Sequence, residues 1–254
     1  MTCKILFSNI GYARDIDGSL NHHVWRVGRH FYCAVPVQES VLRQLKAIIA
    51  AARPDVCCFV EIDEGTGYPY GLNQIEALKD EEYPFHDAAG KYGPGNWLGQ
   101  MWLHKGKSNG FISRMPLSFE RLYFTRGGKR LIYRLTLPGG LHVYFAHFSL
   151  SRKTRMFQME ELRARILQEK GEVMILADFN IMGGFQELAP LLQGTDLHVL
   201  NEEQHHTFTF FQSKYALDLC ICSAALAATT RLHIIPQPFS DHAALLVEIA
   251  DPAE

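Results

Sequence analysis

One short segment, in which a helical pattern runs directly into a buried strand, constrains the fold more than any other part of the sequence. Apolar residues recur at every third or fourth position over residues 38–52, which predicts an amphipathic helix. Pro54 ends this helix, and residues 56–62 follow as a run that is apolar except for Glu61. An almost continuously apolar run is typical of a strand that is covered on both faces. A helix, a short turn and a buried strand are the repeating unit of an α/β fold.

The remaining periodic segments extend this pattern along the chain. A second amphipathic helix is predicted over residues 151–170, and a short helix near residues 72–78. Residues 11–36 are polar and irregular, and we interpret them as a long loop at a surface or a site. Further strands are predicted at residues 4–9, at 110–113 paired with 117–122, at 131–137 and 141–148 as a hairpin, at 173–176, at 208–211 paired with 215–223, and at 234–235 and 244–249.

Composition places the chain among folded proteins and limits the classes of partner. Its 254 residues are 47% hydrophobic and 20% charged, which is enough to bury a sizeable core. No internal repeat, low-complexity tract or linker divides the sequence, so we expect one domain over residues 1–254. We also expect a monomer. The formal net charge of -2 shows no overall basic excess, so a nucleic-acid partner would need a local basic patch.

Apolar runs are short throughout the chain. The N-terminal run is interrupted by Lys4, Ser8 and Asn9, so we predict no secretory signal, no integral membrane segment and a cytoplasmic location.

Six cysteines are present, and no second Cys or His pair stands at zinc-finger spacing. We therefore expect buried, reduced thiols at the four cysteines that lie in strand-like runs, which are Cys57, Cys58, Cys220 and Cys222.

Polar residues follow or interrupt the predicted strands at eight positions. In an α/β protein with stacked sheets, such strand ends can converge on one rim. Carboxylate oxygens there suit Mg²⁺, which takes only one or two protein carboxylates. Hydrolysis of a phosphate ester also needs a base for water and donors for the phosphate charge. The eight positions are Asn9, Glu61, His147, Asp178, Asn180, Asp218, Asp241 and His242.

Each of these residues taken alone has an ordinary structural explanation. Asp178 and Asn9 are typical of turns and caps. His147 lies within an apolar run, where a histidine is more often part of the core than of a site. Asp218 is less ordinary, because a carboxylate in an apolar strand is costly unless it is paired. The order of the whole set therefore carries more information than any member of it.

The ordered motifs resemble the endonuclease/exonuclease/phosphatase superfamily, which has the deoxyribonuclease I-like fold. The resemblance runs from residue 4 to residue 249. It implies a four-layer α/β sandwich, in which two mixed β-sheets pack face to face with helices outside and the active site lies at one rim. The matching motifs are Ser8-Asn9-Ile10, PDVCCFVEID, SNGFISRMPL, FAHFSL, ILADFN, ALDLCICS and SDHAALLVEI.

The resemblance also implies which residues bind metal and phosphate. Glu61 matches the metal-binding glutamate, and Asn9 matches a residue beside the metal and the phosphate. Asp241 matches a carboxylate that binds a second metal in some members. Asn109, in the SNGFISRMPL motif, is assigned to phosphate binding together with Asn9. The implied cofactor is Mg²⁺ or Mn²⁺.

Catalytic roles follow from the same resemblance. Asp178 matches the residue that positions and activates the attacking water, and Asn180 matches a donor to that water or to the phosphoryl oxygen. His147 matches a phosphate-contacting residue that is sometimes described as a proton donor. His242 matches a base or transition-state stabiliser, which Asp218 supports or orients. The general base stays open between Asp178 and His242.

Three positions depart from the family pattern. Ala177 stands where the family often has Gly in Gly-Asp-x-Asn, and Val60 stands where Gln often precedes the metal glutamate. Gly11 stands where some abasic-site nucleases carry an acid. Val60 and Gly11 argue against close kinship with abasic-site repair enzymes, and the Trp-rich and Arg-bearing motifs of inositol phosphatases are also absent. No presumed catalytic group is lost.

Signals for the substrate are weaker than those for the chemistry. Residues 121–170 contain eleven basic and three acidic residues, which could steer a polyanion or could form a solvated helix face. The aromatics of two loops could stack on bases, hold a lipid or a small phosphodiester, or pack the loops. They are Tyr12, Trp25, Phe31, Tyr32, Tyr68, Tyr70, Tyr92, Trp97 and Trp102.

The sequence therefore predicts a divalent-metal-dependent phosphoesterase that hydrolyses a phosphodiester by attack of an activated water. The substrate class stays open between nucleic acid, a lipid head group and a small molecule. One alternative is a nuclease acting on DNA or RNA. A second alternative is a non-catalytic phosphate-binding module on the same scaffold. Such a module usually loses some catalytic residues, whereas this chain keeps them.

Overall fold

The computed structural model describes residues 3–65, 71–101 and 104–250. Its helices are α1 (Leu20–Trp25), α2 (Val35–Ala52), α3 (Gln74–Leu78), α4 (Arg152–Ile166), α5 (Ala189–Leu192) and α6 (Ala224–Ala227). Its strands are β1 (Cys3–Asn9), β2 (Val56–Asp63), β3 (Phe85–Gly90), β4 (Lys107–Ser113), β5 (Ser118–Tyr123), β6 (Leu131–Thr136), β7 (His142–His147), β8 (Val173–Asp178), β9 (Leu197–Val199), β10 (Phe208–Phe210), β11 (Ser213–Tyr215), β12 (Asp218–Ser223), β13 (Thr230–Ile235) and β14 (Ala244–Ile249).

Two six-stranded sheets form the centre of the molecule. The first has the order β13-β14-β1-β2-β4-β3, and the second has the order β5-β6-β7-β8-β12-β9. Each sheet contains one parallel pair, β1 with β2 and β7 with β8, and its other pairs are antiparallel. Both sheets are therefore mixed, as predicted.

Three apolar cores separate four layers. The largest lies between the sheets and contains Phe7 of the first sheet and Phe145 of the second. A second core packs Leu45 of α2 against the outer face of the first sheet, and a third packs Met159 of α4 against the second sheet. Alternation along β2 confirms the arrangement, because Cys58 belongs to the core between the sheets whereas Cys57 faces the helices. The predicted four-layer α/β sandwich is confirmed.

The predicted burial of four cysteines agrees with the structure. All six cysteines are free thiols, and Cys57, Cys58, Cys220 and Cys222 are buried. Among the described residues, no helix combines the length and the apolar character that a membrane span requires.

Three local predictions were wrong. Residues 11–36 are not one loop, because α1 begins after Ser19, whose hydroxyl accepts the His22 N–H, and α2 begins at Val35, with Pro36 in its first turn. Residues 110–113 and 117–122 do not pair, because the turn at Met115-Pro116 carries the chain from the first sheet to the second. The short β11, and not β12, pairs with β10.

Glu169, which follows α4, joins that helix to the second sheet. Arg134 of β6 donates two hydrogen bonds to its carboxylate, at 2.6 Å from Nε to Oε1 and 2.8 Å from Nη2 to Oε2, and the Tyr144 hydroxyl donates another. The bonds from Arg134 contribute most to lowering the pKa of Glu169 from 4.5 to about 2. The charged form of Glu169 is therefore favoured in the folded state.

We expect Glu169→Gln to lower the free energy of unfolding by about 2 kcal/mol at pH 7, because hydrogen bonds to a charged group are lost. The folded-state pKa lies below the unfolded one, so this contribution is present above pH 4.5 and is lost as the pH falls through 2. Urea unfolding of both proteins across this range measures the difference. Glu160→Gln, at an exposed position of α4, is the control, and a difference independent of pH would contradict this account.

Candidate active site

Strand register brings three predicted site residues into one row at the edge of the second sheet. His147, the last residue of β7, lies opposite Asp178, the last residue of β8, in the parallel pair. Asp178 lies opposite Asp218, the first residue of β12, in the antiparallel pair. Asn9 ends β1 of the first sheet and reaches the same row. The predicted convergence of strand ends on one rim is therefore observed for these four residues.

The Asp178 carboxylate is the hydrogen-bonding centre of the site. Its Oδ2 accepts a hydrogen bond from Asn9 Nδ2 at 3.0 Å and lies 3.0 Å from His147 Nε2 and 3.9 Å from His242 Nε2. Its Oδ1 accepts the backbone N–H of Asn180 at 3.1 Å. Burial opposes ionisation of Asp178, but the two imidazoles outweigh it and hold its pKa well below the usual range. Asp178 is therefore an anion that can only accept hydrogen bonds.

Asn180 is held beside Asp178 by its own backbone conformation. Its φ is 54°, in the left-handed region that few residues other than glycine adopt. The side-chain Nδ2 donates to the carbonyl of Phe148 at 2.9 Å, which leaves the second N–H of that amide for another acceptor. Its predicted role as a donor to water or phosphate therefore remains a prediction that the geometry permits.

His242 and Asp218 form a buried pair behind Asp178. His242 Nδ1 lies 2.7 Å from Asp218 Oδ2. Burial alone would lower the pKa of His242, but the Asp218 and Asp178 carboxylates raise it well above the usual value. Burial also raises the pKa of Asp218. At neutral pH the shared proton stays on His242, which faces the site as a donor.

Glu61 reaches the rim because β2 is irregular at this point. The pairing of β2 with β4 shifts between Phe59 and Ile62, and Glu61 has a φ of 56°. The shift places Val60 in the core between the sheets and Ile62 in the core under the helices, although two-residue alternation would put both on one face. Asn109 Oδ1 accepts the Glu61 N–H at 3.3 Å. Asn109 therefore holds the glutamate in place, and its contact with phosphate stays a prediction.

The electrostatic surroundings of Glu61 are mostly cationic. Its carboxylate lies 3.6 Å from His147 Nδ1 and 3.9 Å from Lys91 Nζ. Burial raises the pKa of Glu61, but Lys91, His147 and Lys129 together lower it to about 2. Glu61 is therefore charged at every pH at which the protein would be assayed.

Asp241 is the second carboxylate that faces the open side of the rim. Burial raises its pKa, and nearby Glu61 and Asp178 raise it further, although His242 opposes them. Among the described residues, no other side chain donates a hydrogen bond to the carboxylate of Glu61 or Asp241. These two carboxylates raise the cost of charge at the rim, and with the amide oxygen of Asn9, which accepts the Gly11 N–H at 3.1 Å, they are of the ligand types that fit Mg²⁺ or Mn²⁺.

A second group of possible ligands lies in the described part of the chain. One ligand atom from each of Asp178, Asp218 and His242 falls within 4.8 Å of the others. These atoms already bind one another, because His242 bridges the two carboxylates. Glu61 and Asp241 are therefore the better candidate ligands.

Two lysines and a tyrosine beside Glu61 were not among the predicted site residues. Lys91 Nζ contacts the Tyr12 hydroxyl, and burial lowers the pKa of Lys91 to about 7. Lys129 Nζ contacts His147 Nε2, and burial lowers the pKa of Lys129 also. Burial and the neighbouring Lys129 likewise lower the pKa of His147, to about 4. Only the basic character of residues 121–130 could have indicated Lys129 from sequence, and nothing in the sequence indicated Lys91.

Much of the basic segment over residues 121–170 has internal partners. Arg155 Nη2 lies 2.5 Å from Glu187 Oε2 in a buried pair, and Arg121 Nε donates to Asp87 at 2.8 Å. Arg134 pairs with Glu169. Arg152 on α4 also lies 3.6 Å from Glu187 Oε2, and Lys153 is an exposed cation of the same helix. The charge count of this segment therefore overstates the free positive charge at the surface.

The loop aromatics divide between core and surface. Tyr12 and Tyr92 are buried, whereas Trp25 and Trp97 are 85% and 68% exposed. Tyr68, Tyr70 and Trp102 lie outside the described residues. A cavity of about 560 Å³ opens beside Asp241 and His242, and Asp17, His206, Thr207, Lys214 and Gln237 line it. This cavity has the size of a small-molecule or single-nucleotide site.

Comparison with known proteins identifies the family. A model of the Endonuclease/Exonuclease/phosphatase family matches residues 38–242. The solved structure of D. rerio TDP2 complexed with single strand DNA product is 16% identical, with a TM-score of 0.68, over 98% of this chain and 99% of that chain. The endonuclease domain of TRAS1, a telomere-specific non-LTR retrotransposon, is 11% identical, with a TM-score of 0.60, over 99% of this chain and 100% of that chain.

SmcL is 15% identical, with a TM-score of 0.65, over 98% of this chain and 99% of that chain. At such identities the likeness to solved structures shows a shared fold. Comparison with curated proteins finds no match. The family model covers well over half of the residues, and the chain therefore belongs to the Endonuclease/Exonuclease/phosphatase family.

Proposed function

We propose that this protein hydrolyses phosphodiesters with Mg²⁺ or Mn²⁺ as its cofactor. The observation that carries the proposal is the arrangement around Asp178 Oδ2, where Asn9, His147 and His242 converge from both sheets. Glu61 and Asp241 lie at the open side of the same rim without donors from other described side chains. Family membership supports hydrolysis of a phosphate ester.

Asp178 is the group that orients the attacking water and accepts its proton. It is ionised, buried and fixed by three hydrogen-bonding neighbours, so its free lone pairs point in defined directions. His242 is a poor base in this arrangement, because two carboxylates keep its proton in place. The assignment left open by the sequence therefore favours Asp178 as the base and His242 as a donor to a phosphoryl oxygen.

The remaining side chains orient Asp178 and His242 or donate hydrogen bonds at the same rim. Asp218 fixes the tautomer and orientation of His242 through Nδ1, as a carboxylate behind a catalytic histidine does in other hydrolases. His147 is neutral near pH 7, since its pKa is about 4, and its single N–H, on Nε2, is the one that faces Asp178 Oδ2. Asn9 and Asn180 supply amide N–H donors at the same rim.

Glu61, Asp241 and the amide oxygen of Asn9 would hold the divalent cation. When bound, the cation supplies Lewis-acid polarisation of a phosphoryl oxygen and neutralises the charge that develops there. Asn109 fixes the backbone of Glu61, so it positions this ligand. The retention of every member of this set disfavours a binding module without activity.

We expect Asp178→Asn to lower kcat/KM for bis-(p-nitrophenyl) phosphate by about a thousandfold with Mg²⁺ or Mn²⁺, because an amide cannot accept the proton of the attacking water. Release of p-nitrophenolate measures the rate. Asp196→Asn, at an exposed position outside the site, is the matched control and should leave the rate unchanged. Retention of wild-type activity in Asp178→Asn would exclude this mechanism.

We expect Glu61→Gln to weaken Mn²⁺ binding by roughly tenfold or more, because one anionic ligand becomes neutral. Titration of Mn²⁺ monitored by electron paramagnetic resonance measures binding without turnover. Chelation by EDTA should abolish hydrolysis by the wild-type protein, and Glu160→Gln should bind Mn²⁺ normally. Equal Mn²⁺ affinity in Glu61→Gln and in the wild type would move the metal site elsewhere.

A nuclease is the second candidate, and two observations favour it. The similar D. rerio TDP2 structure holds a single strand DNA product, and Trp25 and Trp97 expose aromatic faces on which bases can stack. We expect a labelled single-stranded oligonucleotide to be cleaved at least about tenfold faster than its duplex, since stacked bases must be freed to reach such faces. Gel electrophoresis measures cleavage of both oligonucleotides. A parallel hydrolysis assay on phospholipid vesicles tests the lipid alternative. Cleavage of neither oligonucleotide would reject the nuclease.

A further inference from the structure

Two lysines approach the rim of the site from one junction between the sheets, and Lys91 is buried whereas Lys129 is half-buried. Lys91 follows β3 at the edge of the first sheet, and Lys129 precedes β6 of the second sheet. The carbonyl of Lys91 accepts the N–H groups of Arg130 at 2.7 Å and Leu131 at 3.1 Å. The backbone therefore fixes the two lysines next to each other, and their ammonium groups reach Glu61 and His147 respectively.

Within the residues that the structure describes, Lys91 has only one long ion pair, and the close polar contact of Lys129 is with an imidazole. The Lys91 ammonium contacts the neutral hydroxyl of Tyr12, and its distance to Glu61 Oε1 is 3.9 Å. The Lys129 ammonium contacts a ring nitrogen of His147. Lys107, which packs over the same Tyr12 ring, instead lies 3.0 Å from Asp63 Oδ2. A cation that is held out of water by a long ion pair or by a neutral contact is costly, so the environment of Lys91 and Lys129 favours an added anion.

The contacts of the His147 ring indicate where such an anion would bind. Its Nε2 faces both the Lys129 ammonium, which can only donate, and Asp178 Oδ2, 3.0 Å away, which can only accept. One ring nitrogen cannot satisfy both partners at once. Its Nδ1 is buried and has no hydrogen-bond partner. An anion that accepted the Lys129 protons would leave His147 Nε2 free to donate to Asp178.

We infer that Lys91 and Lys129 form a binding site for the oxygens of a phosphoryl group, next to the groups that hydrolyse it. This inference rests on the proposed function, and it adds two residues that touch the substrate. Ammonium groups bind phosphate oxygens as point charges, and these two lie beside Glu61 and His147, within the same group of site residues. The site takes the phosphoryl group of the substrate or of the product.

Binding of inorganic phosphate tests the site without turnover. Isothermal titration calorimetry with Mg²⁺, repeated with EDTA, should show that Lys129→Gln and Lys91→Gln each weaken phosphate binding by about tenfold, the effect of losing one charge-assisted hydrogen bond. Lys129→Arg keeps the charge and should restore most of the affinity. Lys153→Gln on α4 removes an exposed charge and is the matched control. Circular dichroism melts establish that each variant is folded.

Hydrolysis of bis-(p-nitrophenyl) phosphate is the second measurement, and the same two glutamine variants should lose about tenfold in kcat/KM. No phosphate binding by the wild-type protein, or equal binding in the wild type and both glutamine variants, would overturn the inference. Phosphate binding that depends on Lys129, without any hydrolysis by the wild type, would support this site and reject the proposed function. The two conclusions therefore fail separately.

Discussion

The charge of Asp178 is the constraint on which the rest of the site depends. This carboxylate is buried at the edge where the two sheets meet, and a buried anion is stable only with donors around it. Asn9 supplies one donor from the first sheet, and His147 and His242 lie on its other sides. The ends of β1, β7 and β8 must therefore lie close together at this rim. The packing of the two sheets against each other thus also positions the site residues.

The sequence predicted most of this arrangement because strand ends are encoded locally. An apolar run that stops at Asp178 or at His147 shows where a side chain leaves the core, and the order of such stops identified the family fold. Pairing between strands is not encoded in this way. Residues 113–118 look like a hairpin in sequence, but the chain crosses there between sheets whose partners lie far away along the chain. Lys91 was missed for the same reason, since only long-range pairing brings it to Glu61.

Charge counting was equally limited as a guide to function. The segment over residues 121–170 is strongly basic, yet Arg155 is buried against Glu187. Arg155 also donates from Nη1 to the carbonyls of Ser149 and Leu150, which lie just beyond Phe148 in the segment after His147. Glu187 accepts the N–H of Gly183, in the turn after Asn180. One ion pair thus braces the backbone behind two site residues, a structural use of charge that composition cannot separate from ligand binding.

The irregularity of β2 has a consequence for how such a protein can change. Because the strand shifts register at Glu61, the residues on either side of it enter different cores, and Glu61 itself enters neither. The carboxylate is thereby insulated from the packing requirements of the strand that carries it. A substitution at this one position alters the chemistry at the rim and leaves both cores filled. Deletion of Glu61 would restore the two-residue alternation and leave Val60 and Ile62 in their present cores, so the extra residue of this strand serves to place a side chain at the rim and not to fill a core.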